Sequence, residues 1–221
     1  GEYWSPDTGK LLRYLNDTGK CMQLFDVPLH FRFCEVSHSG GKFDMRNLLS
    51  NTLCTADSWH AVTFVDNHDT QPGQALESFV MGWFKPLAYG VILLQEAGIP
   101  CVFYGDYYGI PHDGISPVPG LEKLIKLRET HAYGRQNSYY DDCDIVGFTR
   151  EGDEEHEGSG LALLISDGPG GNKQMYVGKH FAGRVFQDAM GSCTEQVAIG
   201  EDGCGIFRVA GGSISVWTPL P

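Results

Sequence analysis

The chain lacks any long uninterrupted apolar run. Its longest such stretch, Leu87 to Leu94, is broken by Tyr89 and Gly90 and falls far short of the ~20 residues that a membrane-spanning helix requires. It is also short of positive charge, with 16 Lys and Arg against 28 Asp and Glu and a formal charge of −12. Such a balance disfavours long-range attraction to nucleic acid or to anionic membranes and is compatible with a neutral substrate, although solubility alone accounts for it. The seven cysteines include no close pair of the Cys-x-x-Cys kind. That spacing argues against a zinc cage, and the odd number argues against a disulfide framework. They read as reduced thiols, with Cys21, Cys101 and Cys204 in apolar or strand-like surroundings. A cytoplasmic location is therefore favoured over a secreted one. What the chain does have is an ordinary globular composition, 42% hydrophobic over 221 residues, enough for one large domain or two modest ones.

The first part alternates strand-like and helix-like segments. Met22 to Phe25, Ala61 to Val65 and Pro100 to Phe103 read as strands. Asp7 to Leu15, Asp44 to Leu53, a segment starting at Lys85-Pro86 and ending before Gly98, and Pro119 to Tyr133 read as helices. That alternation predicts βαβ units and a parallel sheet. From about Gly134 the pattern becomes short β-rich runs between glycine-rich turns: Ile145–Arg150, Leu161–Ser166, Gln174–Gly178, Gly205–Val209 and Ser213–Thr218. Such spacing predicts an antiparallel sandwich. The acidic stretch from Gly152 to Gly158 reads as a solvated hairpin loop without a function.

The most informative segment is Ala61-Val62-Thr63-Phe64-Val65-Asp66-Asn67-His68-Asp69, an apolar run ending abruptly in four polar residues. Buried parallel strands read as continuous apolar runs, and barrel chemistry sits where such strands end. Gly1-Glu2-Tyr3-Trp4, Phe25-Asp26-Val27-Pro28-Leu29-His30, Asp66 to Gln74 and Gly98 to Asp106 follow in the order found in the α-amylase family. The chain resembles the C-terminal half of that starch-hydrolysing glycosidase family (glycoside hydrolase family 13), from Glu2 to the Gly211–Trp217 run. Within it, the chain is most similar to the branch of bacterial liquefying and intracellular microbial and fungal amylases. The resemblance implies an α/β fold in two parts. Residues 1–133 would be the C-terminal part of a catalytic (β/α)8 TIM barrel, from the end of strand 5 through helix 8. Residues 134–221 would be an antiparallel all-β sandwich C-terminal domain. Eight strands close such a barrel, whereas three and the end of a fourth are present here. The expected partner is accordingly the missing N-terminal half of the barrel, which would cover the open strand edges.

The resemblance also implies site residues. Glu2 matches the general acid/base at the end of the fifth barrel strand, and Asp69 the carboxylate that grips sugar hydroxyls at the end of the seventh. His68 would hydrogen-bond a ring hydroxyl. Trp4 would offer a sugar an apolar face, with simple packing as its alternative. His30 has no derivable role and is expected to pack. The family's nucleophile is an aspartate two residues after an arginine at the end of the fourth strand. No Arg-x-Asp in this chain ends an apolar strand, so the nucleophile is expected upstream of Gly1 and the chain alone is expected to be inactive. A calcium ion is implied at the carbonyls of Gly41, Phe43 and Cys143 with the side chains of Asp144 and Asp167. Asp167-Gly168-Pro169-Gly170-Gly171 reads equally as a tight turn. The loop from Tyr108 to Gly114 is expected on the catalytic face. The first functional expectation is endo-hydrolysis of α-1,4-glucan polysaccharide or malto-oligosaccharide. Glycosyl transfer or fixed-length malto-oligosaccharide release, and a non-catalytic glucan-binding remnant, are the alternatives.

Overall fold

The computed structural model describes residues 1–220. Its first sheet contains three parallel strands, β1 (Leu24–Phe25), β2 (Ala61–Phe64) and β3 (Ile99–Cys101), hydrogen-bonded in that order. Helix α1 (Thr8–Asp17) precedes β1, α2 (Val27–His38) and the short α3 (Leu53–Ala56) connect β1 to β2, and α4 (Lys85–Leu94) connects β2 to β3. Helices α5 (Tyr104–Tyr108) and α6 (Leu121–His131) follow β3. This is the repeating βα order of a barrel segment. Local chemistry sets the helix ends. The Asp7 carboxylate accepts from Lys10 N to cap α1, whose Leu11 and Leu15 meet the core at i,i+4 spacing. Pro28 and Pro86 occupy the first turns of α2 and α4, where a missing N–H is harmless.

Two readings change. Residues 44–53, expected as one helix, form a 3-10 turn at Met45–Asn47 and then the separate α3. Asn51 adopts a left-handed backbone (φ 57°), which no helix continues through, and Asp44 closes the first turn onto Arg46 N. Helix α2 escaped the periodicity test because its buried residues wrap almost around its first turn: Val27, Pro28, Leu29 and His30 are all buried. Cys21 is exposed rather than apolar in its surroundings, and Cys54 is the buried thiol. All seven cysteines are unpaired.

The remaining strands are β4 (Gln136–Tyr139), β5 (Ile145–Arg150), β6 (Leu161–Ser166), β7 (Gly170–Tyr176), β8 (Val185–Asp188), β9 (Gln196–Ala198), β10 (Cys204–Ala210) and β11 (Ile214–Pro219). They form an antiparallel six-stranded sheet, ordered β4-β5-β6-β11-β8-β9, and the antiparallel pair β7–β10. The acidic stretch lies in the exposed connection between β5 and β6, as expected.

The central strands β5, β6 and β11 of the large sheet are buried on both faces, and their side chains sort by period two. Val146, Phe148, Leu161, Leu163, Ile165, Ile214 and Val216 join the core of the helices and parallel strands. Ile145, Ala162, Leu164 and Trp217 join Met175, Phe207 and Val209 of the β7–β10 pair. Helix α4 lies so close to this sheet that a Cβ on Gly90 would meet Ile214 Cδ1 at 2.2 Å. Glycine is needed there for approach.

Asp26, directly after β1, ties three elements together. Its carboxylate accepts from Leu29 N at the start of α2 and from Leu53 N and Cys54 N at the start of α3. Burial pushes its pKa above the ordinary carboxylate value, while the Cys54, Leu53 and Leu29 N–H groups pull it down. Asp26→Ala would leave these buried donors unpaired and is expected to lower stability by about 3 kcal/mol. Urea unfolding checks this, and a loss under about 1 kcal/mol would show the cap to be dispensable.

Candidate active site

The carboxyl end of β2 carries the segment expected to hold chemistry. Asn67 turns the chain there: its side-chain oxygen accepts from Asp69 N at 2.9 Å and Thr70 N at 3.0 Å. The turn is held from below by Gln71 Nε2 donating to Asn67 O and by Leu76 N donating to Asp69 O. His68 and Asp69 are thereby turned outward, with side chains 76% and 36% exposed and His68 Nε2 3.5 Å from Asp69 Oδ2. Short polar side chains bonding to nearby backbone fix such turns independently of long-range packing.

Segment 1–4 runs along the free edge of β1. The Gly1 ammonium donates to Gln23 O at 2.6 Å, and a Cβ on Gly1 would touch Met22 and Leu24. Trp4, half-buried, then packs against His30, Phe31 and Phe64, with ring centroids 5.6 to 6.0 Å apart. The segment therefore runs in the same direction as β1, and Glu2 is exposed beside it. Tyr3 stacks on Tyr14 at 4.8 Å. His30 packs, as expected: it is fully buried, stacked on Phe64, with Nδ1–H donating to Val65 O and Nε2 facing the Ser78 hydroxyl. Burial lowers its pKa to about 4, so it is neutral and its approach to Asp66 at 3.8 Å is not an ion pair.

Sequence reasoning missed the group beneath this turn. Lys85, at the start of α4, is buried between Asp66 Oδ2 at 2.9 Å and Asp106 Oδ1 at 2.5 Å. Tyr89 OH donates to Asp106 Oδ2, and Thr70 Oγ1 to Asp66 Oδ1. Burial pushes Asp66 up to about 6 even beside Lys85. For Lys85, burial is the largest single influence and acts downward, but the two carboxylates together raise its pKa above the ordinary value. The signal was present: a lysine opening an otherwise wholly apolar helix, and an aspartate ending an apolar strand. Lys85 and Asp106 also line a cavity of about 400 Å³ between the loop after β2 and the segment Ile115–Pro119; Glu2, His68 and Asp69 do not line it. The Tyr108–Gly114 segment begins at the end of α5, where Tyr104 and Tyr108 are exposed.

The residues expected around calcium converge elsewhere, where the helical part meets the sandwich. A Cβ on Gly41 would meet Asp167 O at 2.7 Å, a Cβ on Gly168 would meet the Asp144 side chain at 3.0 Å, and Cys143 O accepts from Met45 N. Gly41 has φ 75°, so its conformation and its closeness to Asp167 both select glycine. Both Asp167 carboxylate oxygens are buried without a hydrogen-bond partner, and burial together with neighbouring Asp144 pushes the group up to about 6. Two neighbouring carboxylates, one of them buried and unpartnered, beside backbone carbonyl oxygens fit a hard divalent cation.

A parallel βα sheet with polar strand ends, sharing a core with an antiparallel β-sandwich, is the layout of a barrel segment joined to a C-terminal β-domain. The family description "Alpha-amylase C-terminal" matches residues 161–218. The chain is 56% identical over 220 residues to an α-amylase of Geobacillus stearothermophilus, covering 99% of this chain and 40% of the relative. It is 50% identical over 217 residues to a glucan 1,4-alpha-maltohexaosidase of Bacillus sp. (strain 707), covering 98% and 42%. It is 39% identical over 227 residues to the cytoplasmic alpha-amylase of Escherichia coli (strain K12), covering 98% and 46%. An Anoxybacillus α-amylase structure shares the fold at 18% identity, with a TM-score of 0.70 over 100% of this chain and 52% of that one. The chain is similar to the C-terminal region of α-amylases and spans about two fifths of the length of the curated relatives it matches.

The His30 geometry gives a pH test. Its folded value of about 4 lies below the ordinary 6.5, so its contribution is complete above 6.5 and is lost as pH falls through about 4. The destabilisation caused by His30→Gln should therefore be smaller at pH 4 than at pH 7 by about 3 kcal/mol, measured by urea unfolding at both values. An equal effect at both values would mean that burial does not lower the His30 pKa in the fold.

Proposed function

We propose that this chain supplies part of the active site of a retaining α-amylase that cleaves α-1,4-glucosidic bonds within starch-like glucans. The observation that carries the reading is the Asn67–Asp69 turn, which presents His68 and Asp69 to solvent at the carboxyl end of β2, on the sheet whose β1 edge segment 1–4 follows. In a retaining glycosidase one carboxyl group attacks the sugar while another protonates the leaving oxygen and later takes a proton from water. Glu2 takes the second role. Asp69 accepts hydrogen bonds from the hydroxyls of the sugar being cleaved, bonds that strengthen as positive charge develops on the ring. His68, beside Asp69 and open to solvent, hydrogen-bonds a further hydroxyl, and Trp4 shields the sugar from below. The attacking carboxylate comes from the remainder of the barrel, which also covers the open edge of β3. Fixed-length malto-oligosaccharide release is the second reading, favoured by the half-identical maltohexaosidase relative, and product analysis separates the two. The unpaired cysteines and the cytoplasmic relative support a cytoplasmic site of action.

The 221-residue chain alone should release no reducing sugar from amylose. Mixed with the separately produced N-terminal part of the Geobacillus relative, it should gain activity that Glu2→Gln reduces by a factor of about a thousand or more. Hydrolysis by the chain alone that disappears in Glu2→Gln would overturn the assignment.

A calcium ion fits the junction, held by the carbonyls of Gly41, Phe43 and Cys143 and the side chains of Asp144 and Asp167. Bound there, it would offset two close carboxylates and tie the helical part to the sandwich. Calcium should raise the thermal midpoint of the chain and a chelator should reverse the gain, whereas Asp167→Asn should respond to neither. An equal calcium response in Asp167→Asn would remove the site from this junction.

A further inference from the structure

Trp59 is the most exposed large apolar side chain among the described residues, at 79%, and it does not belong to the face just described. It lies two residues before the start of β2, as Gln23 precedes β1, and Ile99, also exposed, opens β3. All three sit at the amino ends of the parallel strands, while Asn67, His68 and Asp69 follow the carboxyl end of β2. The two faces are separated by the full height of the sheet.

Trp59 borders two cavities, one of about 670 Å³ and one of about 250 Å³. The larger is lined in nearly equal measure by polar and apolar groups drawn from both parts of the chain. Gln95, at the end of α4, lines it, is 2% exposed, and its side-chain nitrogen is buried with no hydrogen-bond partner. Burying an amide donor without an acceptor costs about 1–3 kcal/mol, so a ligand offering an oxygen there recovers a real penalty. Around it, Asp57 is held in place by Lys20 and His60, each at 2.8 Å, and Gln136 by Ser138 at 3.0 Å. An exposed indole, a buried unpaired donor and an oriented carboxylate–ammonium pair match a neutral polyhydroxylated ring: one apolar face and a rim of hydroxyls that both donate and accept.

We propose that this amino-end face is a second glucan-binding site, with a pyranose ring on Trp59 and a hydroxyl oxygen accepting from Gln95. The inference rests on the glucan reading above for its ligand class, but not on the catalytic residues. The site would hold a glucan chain on the opposite side of the sheet from His68 and Asp69, anchoring the polymer without cleaving it.

The test is a titration of the full chain with maltoheptaose, followed through the four tryptophan indole N–H resonances assigned by single Trp→Phe variants. A saturable shift at Trp59 that persists in His68→Ala is expected, weakened about tenfold in Gln95→Leu through loss of one hydrogen bond. A Trp59 resonance unmoved at saturating sugar, or one that moves only while His68 is intact, would overturn the second site. A response at Trp4 with none at Trp59 removes the second site and leaves the cleft reading standing; a response at Trp59 with none at Trp4 does the reverse. Concentration-dependent mass by sedimentation, with Trp59 broadened and no sugar response, would assign the face to a second copy of the chain and overturn the proposal.

Discussion

The Lys85 ammonium, buried between the Asp66 and Asp106 carboxylates, ties together three places: the carboxyl end of β2, the first turn of α4, and α5. Three charges in a dry interior are tolerated only while each is paired, because removing one partner leaves another desolvated and uncompensated. Asp66 also accepts from Thr70 and from Val80 N, so the turn that presents His68 and Asp69 is built on this group. The exposed residues proposed to meet sugar stand on a buried and fully bonded support, the arrangement that lets a polar site keep its geometry in water.

A second constraint couples the two halves of the chain. Because β5, β6 and β11 bury alternate residues on opposite faces, one sheet belongs to two cores at once. Its near face closes over α4, with Gly90 allowing contact, and its far face closes on the β7–β10 pair. The C-terminal β-region therefore acts as one wall of the interior of the helical part. The carboxylates of Asp144 and Asp167 lie at the same junction, where the Asp167 oxygens are buried without a hydrogen-bond partner.

Legibility from sequence followed the range of the forces involved. Strands β5 and β6 were readable to the residue because runs such as Leu161–Ile165 are apolar and bounded by turn residues, and burial on both faces is what such a run encodes. Helix α4 was readable from Pro86 and its apolar run. Residues 44–53 misled because apolar spacing suggested a helix while Asp44, Asn51 and Thr52 carried local bonding preferences that broke it. The motif Asn67-His68-Asp69 was visible as a polar strand end. Its support was not, because Lys85 and Asp106 lie 19 and 40 residues from Asp66 and no local pattern pairs them.

By itself the sequence determined the class of architecture, the resemblance to α-amylases, and which residues were expected to carry chemistry. Those depend on side-chain type, on alternation along one strand or helix, and on motif order, all of which are properties of the linear chain. Only the tertiary structure decided that His30 is neutral and buried, that Asp66 shares Lys85 with Asp106, that Asp167 is left without a partner, and that Trp59 and Gln95 share a cavity. Each of these is a matter of burial and of contact between distant segments, and desolvation has no value until the chain has closed around the group.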